Sequence, residues 1–472
     1  MKPQRKCLLN PRPPSGFFQV LCMDPQTGQP PKKYFIHTFG CQMNEYDSGK
    51  MRDMLARASY LPAVSAEEAD VVLLNTCSVR ENPANKVFSM LGRLGELKRE
   101  KPGMIIGVAG CVAQQEGKNI LRRSPDVDLV FGTDNLFSLP EMLEQAGQGR
   151  RVARTGWGKK SKEKDFVPPQ EALASLPDGP KGQVAIMKGC DNFCSFCIVP
   201  HTRGREVNRD LSAVVAEVEA LVSRGAKEIL LLGQNVNSYR AGGKNFVDLV
   251  YGVAEIPGLE RLRYMSPHPK DFNLALAIAH RDIPQLCEQV HLPFQSGSDR
   301  ILKAMQRRHT MAEYLEKVAM LRETVPGVQL STDIIVGFPG EEPEDYAATL
   351  DVMRRVRFDH LFAFKYSPRP FTPAAKLEET VTHGQKGERL DGLLALHLEI
   401  LAQIHQGMVG SVQEILVEGP HPKNPEDRLG RTRGNKSMTV VNCSAPAGAL
   451  LRAEVTGVRQ YSLIGKEVKP WT

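Results

Sequence analysis

The chain has 472 residues, 41% of them hydrophobic and 24% charged, with a formal net charge of +7. That length suits about two to four globular domains, and the mild basic excess is compatible with a polyanionic partner. No apolar run approaches a membrane span, and Pro11, Pro13 and Pro14 break residues 1–30 too often for a signal-peptide core.

Ten cysteines in a chain of this size do not make a small disulfide scaffold. Without an export signal a reducing, cytoplasmic setting is expected, where clustered cysteines bind metal or do chemistry. Residues 1–31 read as a poorly ordered extension. Three strand-like runs follow, each finishing at a cysteine: 34–40 leads to Cys41, 71–76 to Cys77 and 105–110 to Cys111. Helical stretches around 48–58 and 82–100 alternate with them. Continuous apolar strands separated by helices predict a parallel α/β domain over 32–148. In such sheets ligands bind at the carboxyl ends of the strands. A lone cysteine there is usually a small buried hydrophobe. Three at equivalent ends predict a metal site assembled from distant sequence.

Residues 149–181 change character. The charge run 159–164 and Pro168, Pro169, Pro177 and Pro180 predict a linker. From 182 to 406 the alternation resumes, with strands expected at 183–187, 228–232, 261–265, 289–292, 329–336 and 360–366. Leu211, Val214, Val215, Val218, Leu221 and Val222 give the first intervening helix one apolar face, and Gly225 stops it. Thr310 and Glu313 form a capping-box pattern, and Pro343 suits a first helical turn. Six β/α units predict a partial parallel barrel with its site at the carboxyl ends of the strands.

The first of those ends carries Gly189-Cys190-Asp191-Asn192-Phe193-Cys194-Ser195-Phe196-Cys197. Three thiolates on one short loop can hold three corners of a cubic iron–sulfur cluster and leave the fourth iron open. A zinc loop with its fourth ligand elsewhere, or cysteines that merely pack, are the blander readings of the spacing. Polar or glycine-rich groups follow the other strands: Gly233-Gln234-Asn235, Ser266-Pro267-His268, Gln295 to Asp299, Asp333 with Gly337 to Glu341, and Ser367 to Pro370. Together they predict a small-molecule site across the mouth. No phosphate-loop or Rossmann fingerprint is complete. Residues 407–472 read as short strands with Gly, Pro and Asn turns, a small β-barrel. Between its first two strands, Arg428, Arg431, Arg433 and Lys436 suit a phosphate backbone or a solvated loop. Cys7, Cys22, Cys287 and Cys443 are unclustered and read as ordinary thiols.

Taken together, these residues resemble the radical S-adenosylmethionine methylthiotransferases, from about residue 32 to the end. The local sequences are most similar to the tRNA-modifying MiaB branch. They include Thr38-Phe39-Gly40-Cys41-Gln42-Met43-Asn44, Asn75-Thr76-Cys77, Leu232-Gly233-Gln234-Asn235-Val236-Asn237, Gln295-Ser296-Gly297-Ser298-Asp299 and Ile415-Leu416-Val417-Glu418-Gly419. Phe371 departs from the pattern, where glycine is expected.

The resemblance implies an α/β multidomain chain: an N-terminal methylthiotransferase domain, a partial (β/α)6 radical barrel and an RNA-binding β-barrel called TRAM. It implies a cluster on Cys190, Cys194 and Cys197 that binds S-adenosylmethionine, and an auxiliary cluster on Cys41, Cys77 and Cys111 that presents sulfur. It implies cofactor contacts from Arg203, Gly233, Gln234, Ser296, Asp299 and Asp333. The expected substrate is isopentenylated adenosine beside the anticodon of tRNA. Sister activities act on threonylcarbamoyladenosine in tRNA or on a ribosomal protein aspartate; a zinc-stabilised RNA-binding protein is the reading from a different class. A one-electron reductant such as flavodoxin or ferredoxin is expected, with the sulfur source open, and a cytoplasmic monomer.

Overall fold

The computed structural model describes residues 31–78, 83–157 and 179–468. The extension expected over 1–31, apart from its last residue, and the charge run of the linker lie outside the described residues. The chain divides into two compact units, 1–160 and 161–472.

The first unit is a six-stranded parallel sheet. Its strands are β1 (Lys33–Thr38), β2 (Leu61–Pro62), β3 (Val71–Thr76), β4 (Ile105–Gly110), β5 (Leu129–Phe131) and β6 (Val152–Arg154). Their order is β2-β1-β3-β4-β5-β6. Every residue of β3 and β4 is buried, which is why both read as unbroken apolar runs. Separate apolar clusters form around Val71, Leu73 and Phe131 and around Val72, Leu74 and Val130, the alternation of a sheet buried on both faces. Three-residue β5 and β6 were too short to stand out in the sequence. The first helix, Gln42–Arg57, begins directly after Cys41 rather than near Ser48.

The second unit carries the six expected parallel strands: β7 (Lys181–Ala185), β10 (Glu228–Leu232), β13 (Arg261–Tyr264), β14 (Gln289–His291), β15 (Gln329–Val336) and β16 (His360–Lys365). Between them fall two short antiparallel pairs, β8 (Met187–Lys188) with β9 (Val207–Asn208) and β11 (Arg240–Ala241) with β12 (Lys244–Asn245). Two three-stranded sheets, β7-β10-β13 and β14-β15-β16, meet through a parallel bridge between Leu262 and Leu286. The helix starts follow their signals. Thr310 and Glu313 cap Met311–Thr324 reciprocally. Glu342 and Asp345 do the same for Pro343–Val356.

After the long helix His383–Met408, strands β17 (Val412–His421), β18 (Asn424–Thr432), β19 (Ser437–Val441), β20 (Leu450–Val458) and β21 (Leu463–Glu467) close a barrel in the order β17-β18-β19-β21-β20. Arg428 and Arg431 therefore lie on a strand, where a basic loop was expected. The strand hides in the sequence because Gly430 replaces an apolar inward residue. A Cβ there would come 2.5 Å from Ile415 Cγ2 and 2.6 Å from Leu416 O.

This small barrel seats on the amino-terminal ends of the parallel strands. Arg261, the first residue of β13 and fully buried, donates to Arg431 O (2.8 Å), Glu414 O (3.0 Å) and Glu414 Oε1 (2.9 Å). Arg263 joins Glu228 Oε2 (3.0 Å) to Thr432 O (3.0 Å). Lys181 pairs with Glu418. The seat leaves the carboxyl-terminal mouth uncovered by this barrel. Among the described residues, no helix is long and apolar enough to cross a membrane.

Candidate metal centres and the loops around them

The three-cysteine loop leaves the end of β8. Gly189 has φ +76, and a Cβ on it would lie 2.0 Å from Arg205 O, so only glycine lets the chain enter here. The Gly189 N–H donates to Gln234 Oε1 (2.5 Å) and the Cys190 N–H to Gly204 O (3.2 Å). At the far side Ser195 is held on three sides: its N–H donates to Met305 O (2.9 Å), its Oγ to Ala304 O (2.8 Å), and its O accepts from Ala374 N (2.8 Å). Asp191 and Arg205 form a two-pronged ion pair at 2.6 and 3.2 Å. The Arg205 guanidinium also lies over Phe193.

Cys190 and Cys194 are buried and Cys197 is partly so. Burial, together with the charge of Cys194, pushes the Cys190 thiol up to about 11 and Cys197 up to about 12. These thiols are close enough to repel one another as thiolates. A cationic iron group would offset both the burial and the repulsion. One cation already faces the set: buried Arg307 donates from Nη1 to Cys194 Sγ (3.7 Å) and from Nη2 to Pro293 O (2.8 Å). Its Nε is buried without a partner. The Asn192 N–H donates to Cys190 Sγ (3.4 Å). The donor set fits an iron–sulfur group.

In the first unit, adjacent strands β1, β3 and β4 bring the second trio together. Thr38 is in register with Asn75 and Thr76 with Gly110, so Cys77 and Cys111 directly follow paired residues. Gly40 (φ +144) passes against Cys77: a Cβ there would lie 2.4 Å from Cys77 Cβ and 3.2 Å from its Sγ. Gly110 (φ +89) would collide with Thr76 O at 2.4 Å. Cys77 and Cys111 are buried and Cys41 is partly exposed. The Cys41 thiol donates to Asn44 Oδ1 (3.2 Å). Asn44 Nδ2 donates to Asn75 Oδ1 (3.0 Å) and Thr76 O (3.1 Å), and Asn75 Nδ2 returns to Asn44 O (2.8 Å) and Ser48 Oγ (2.9 Å). The trio suits an iron–sulfur group by its chemistry: three thiols follow the ends of adjacent strands, and Gly40 closes against Cys77. Among the described residues, no three His, Cys, Asp or Glu side chains converge as they would round a single metal ion. A cubic cluster asks less, because each thiolate meets a different iron.

Of the cofactor candidates, Arg203, Gly233, Gln234 and Ser296 stand on loops, Asp299 opens the short helix Asp299–Ala304, and Asp333 lies within β15. Arg203 and Ser296 are buried. A Cβ on Gly233 would meet Met187 Cγ at 2.4 Å. Gln234 holds the cysteine loop. Asp299 Oδ1 accepts from Met311 N (2.7 Å), which caps a helix. Asp333 is partly exposed, 3.4 Å from His291 Nε2. Cys287 and Cys443 are buried single thiols.

Residues 33–132 match an uncharacterized protein family, UPF0004; residues 184–353 match the Radical SAM superfamily, and 406–468 the TRAM domain. A tRNA-2-methylthio-N(6)-dimethylallyladenosine synthase of Anaeromyxobacter dehalogenans is 46% identical over 449 residues, covering 93% of this chain and 95% of the relative. The like-named protein of Ralstonia pickettii is 47% identical, covering 92% and 94%. The chain belongs to the tRNA-2-methylthio-N(6)-dimethylallyladenosine synthase family. The synthase family's radical barrel also has a distant solved likeness. A radical S-adenosylmethionine methyltransferase, TsrM, from Kitasatospora setae superposes with a TM-score of 0.54 over 73% of this chain and 77% of its own, at 16% identity. That likeness is one of fold alone.

In this synthase-family chain the four basic residues expected to meet RNA have partners inside the protein. Lys436, 1% exposed, donates to Asp359 Oδ1 (2.7 Å). Arg433 grips Glu288 with two nitrogens (both 2.8 Å) and Pro284 O (2.8 Å). Arg431 donates to Glu418 (3.1 Å) and Asn435 O (3.1 Å), and Arg428 to Ala445 O (2.7 Å). Lys436 and Arg433 therefore belong to the seat of the small barrel, while Arg431 and Arg428 tie the barrel to itself. Sequence reasoning missed Arg307, and Asn44 with Asn75 as a network. The only available signal was their place inside the quoted motifs or next to a strand-end loop.

Proposed function

We propose that this chain is an enzyme that places a methylthio group on carbon 2 of N6-isopentenyladenosine beside the anticodon of tRNA, using two 4Fe-4S clusters and S-adenosylmethionine. One observation carries the reading: a three-cysteine loop stands at the carboxyl ends of six parallel strands in a chain matching named synthases over 93% of its length. When bound, these groups supply the radical chemistry that an unactivated carbon–hydrogen bond demands, and the sulfur and methyl to be transferred.

Cys190, Cys194 and Cys197 hold the first cluster, and Cys41, Cys77 and Cys111 the auxiliary one. Gly189 and Gln234 fix the entry of the first loop, and Ser195 fixes its exit. Arg307 places positive charge beside Cys194. Asn44 and Asn75 hold the strand ends that carry the auxiliary set. Arg203, Gly233, Gln234, Ser296, Asp299 and Asp333 are the residues proposed to surround S-adenosylmethionine, with Asp299 and Gln234 acting also as structural ties. Of the small barrel's cations, Lys423, Arg452, Arg459 and Lys466 are exposed. Phosphate contact with tRNA falls to these and to the outer edges of Arg428 and Arg431. A flavodoxin- or ferredoxin-like protein would deliver electrons to a cytoplasmic monomer.

The test is mass spectrometry of tRNA nucleosides from cells lacking the protein. Methylthio-isopentenyladenosine should vanish while isopentenyladenosine accumulates. Unchanged methylthio nucleoside overturns the reading. Cys194→Ala should abolish S-adenosylmethionine cleavage, whereas Cys77→Ala should preserve it and stop sulfur insertion.

A further inference from the structure

The loop after the sixth barrel strand makes a turn at Arg369-Pro370-Phe371-Thr372. The Thr372 N–H donates to Arg369 O (3.3 Å), and Thr372 Oγ1 reinforces it (2.7 Å). Proline stands second in the turn, and the third residue, Phe371, has φ +70. This is the left-handed position that such turns give to glycine or asparagine. A bulky aromatic residue there strains the backbone.

Burial does not offset that strain. Phe371 is 64% exposed, although the chain directly after it is anchored: Thr372 is 1% exposed and Ala374 1%. Among the described residues the ring's one aromatic contact is an exposed imidazole, His201, with centroids 5.9 Å apart and planes 36° from parallel. Its position is close to the chemistry. Ala374 N donates to Ser195 O (2.8 Å), between Cys194 and Cys197, and His201 belongs to the short helix that leaves the same cysteine loop. The strained ring therefore stands at the rim of the mouth, on the cysteine side.

We propose that Phe371, backed by His201, is a stacking platform for an unpaired base of the RNA substrate. The proposal rests on the tRNA reading above. Single-stranded RNA is gripped by stacking splayed bases on aromatic faces, and a phenylalanine face accepts any base. An outward phenylalanine, with only two χ angles, supplies such a face at a low cost in side-chain entropy. In the unbound protein the ring contributes strain; bound to RNA it contributes a stacked contact.

The experiment uses the full-length holoenzyme, a fluorescent anticodon stem-loop RNA containing isopentenyladenosine, and the variants Phe371→Gly, Phe371→Asn and Phe371→Tyr. Glycine and asparagine both tolerate the left-handed backbone. Both should melt no lower than wild type yet bind the stem-loop about ten-fold or more weakly, the size of one lost base stack. Tyrosine should restore binding. Wild-type affinity in Phe371→Gly or Phe371→Asn overturns the proposal and leaves the tRNA reading standing. Failure of the wild type to bind the stem-loop overturns both.

Discussion

Replacing Lys436 with methionine separates two roles for the basic strand of the small barrel. In the structure its ammonium is buried on Asp359 Oδ1, while Asp359 Oδ2 accepts the Leu330 N–H at 2.9 Å. Removing the cation leaves a carboxylate, 8% exposed, with one oxygen unpaired. Breaking a buried pair from one side costs about 3–5 kcal/mol, and the retained Leu330 bond favours the lower figure, about 3 kcal/mol. For a unit of this size, with an unfolding entropy of about 2.1 cal/mol/K per residue, that corresponds to a Tm lower by roughly 5 °C. Adding Asp359→Asn should recover part of the loss, because the stranded charge is gone. The second readout is the salt dependence of tRNA binding. A lysine on phosphate contributes about one to the slope of log K against log salt; Lys436→Met should leave the slope unchanged. An unaltered Tm together with a slope reduced by about one would refute the buried seat and restore the RNA contact expected from sequence.

Two other outcomes follow from buried groups. His280 bridges Tyr264 OH (2.8 Å) and Cys287 O (3.0 Å), and burial depresses its pKa to about 4; burial and the Lys436 cation take His360 down to about 3. Free histidine titrates near about 6.5, so the unfolded chain takes up these protons first. Their stability is therefore full above about pH 6.5 and lost as pH falls toward 4. Melts of the holoenzyme from pH 7.5 to about 4.5 should show a falling Tm, and a flat profile contradicts neutral burial. Arg307→Met should keep the iron and sulfide of the cysteine loop but lower its reduction potential, since hydrogen bonds to cluster sulfurs raise it. A potential identical to wild type would show that the 3.7 Å contact does not tune the cluster.

Much of the candidate site was legible in one dimension. Cys190, Cys194 and Cys197 lie within eight consecutive residues, so spacing alone announces them. Cys41, Cys77 and Cys111 were legible because each ends an apolar run, and parallel β/α order forces equivalent strand ends to one edge. Helix starts at Thr310 and Pro343 were legible because capping is local chemistry.

What sequence alone determined was thus the set of elements, their parallel order and the thiol-bearing loops, all written in neighbouring residues. Tertiary structure decided the partners. Arg307 reaches Cys194 across 113 positions, Arg261 reaches Glu414 across 153, and Lys436 reaches Asp359 across 77. A basic residue looks the same in sequence whether it meets phosphate or a carboxylate of its own chain. Only the seating of the small barrel on the amino-terminal strand ends distinguishes them, because burial decides which charge must be paired inside the protein and which is left for RNA.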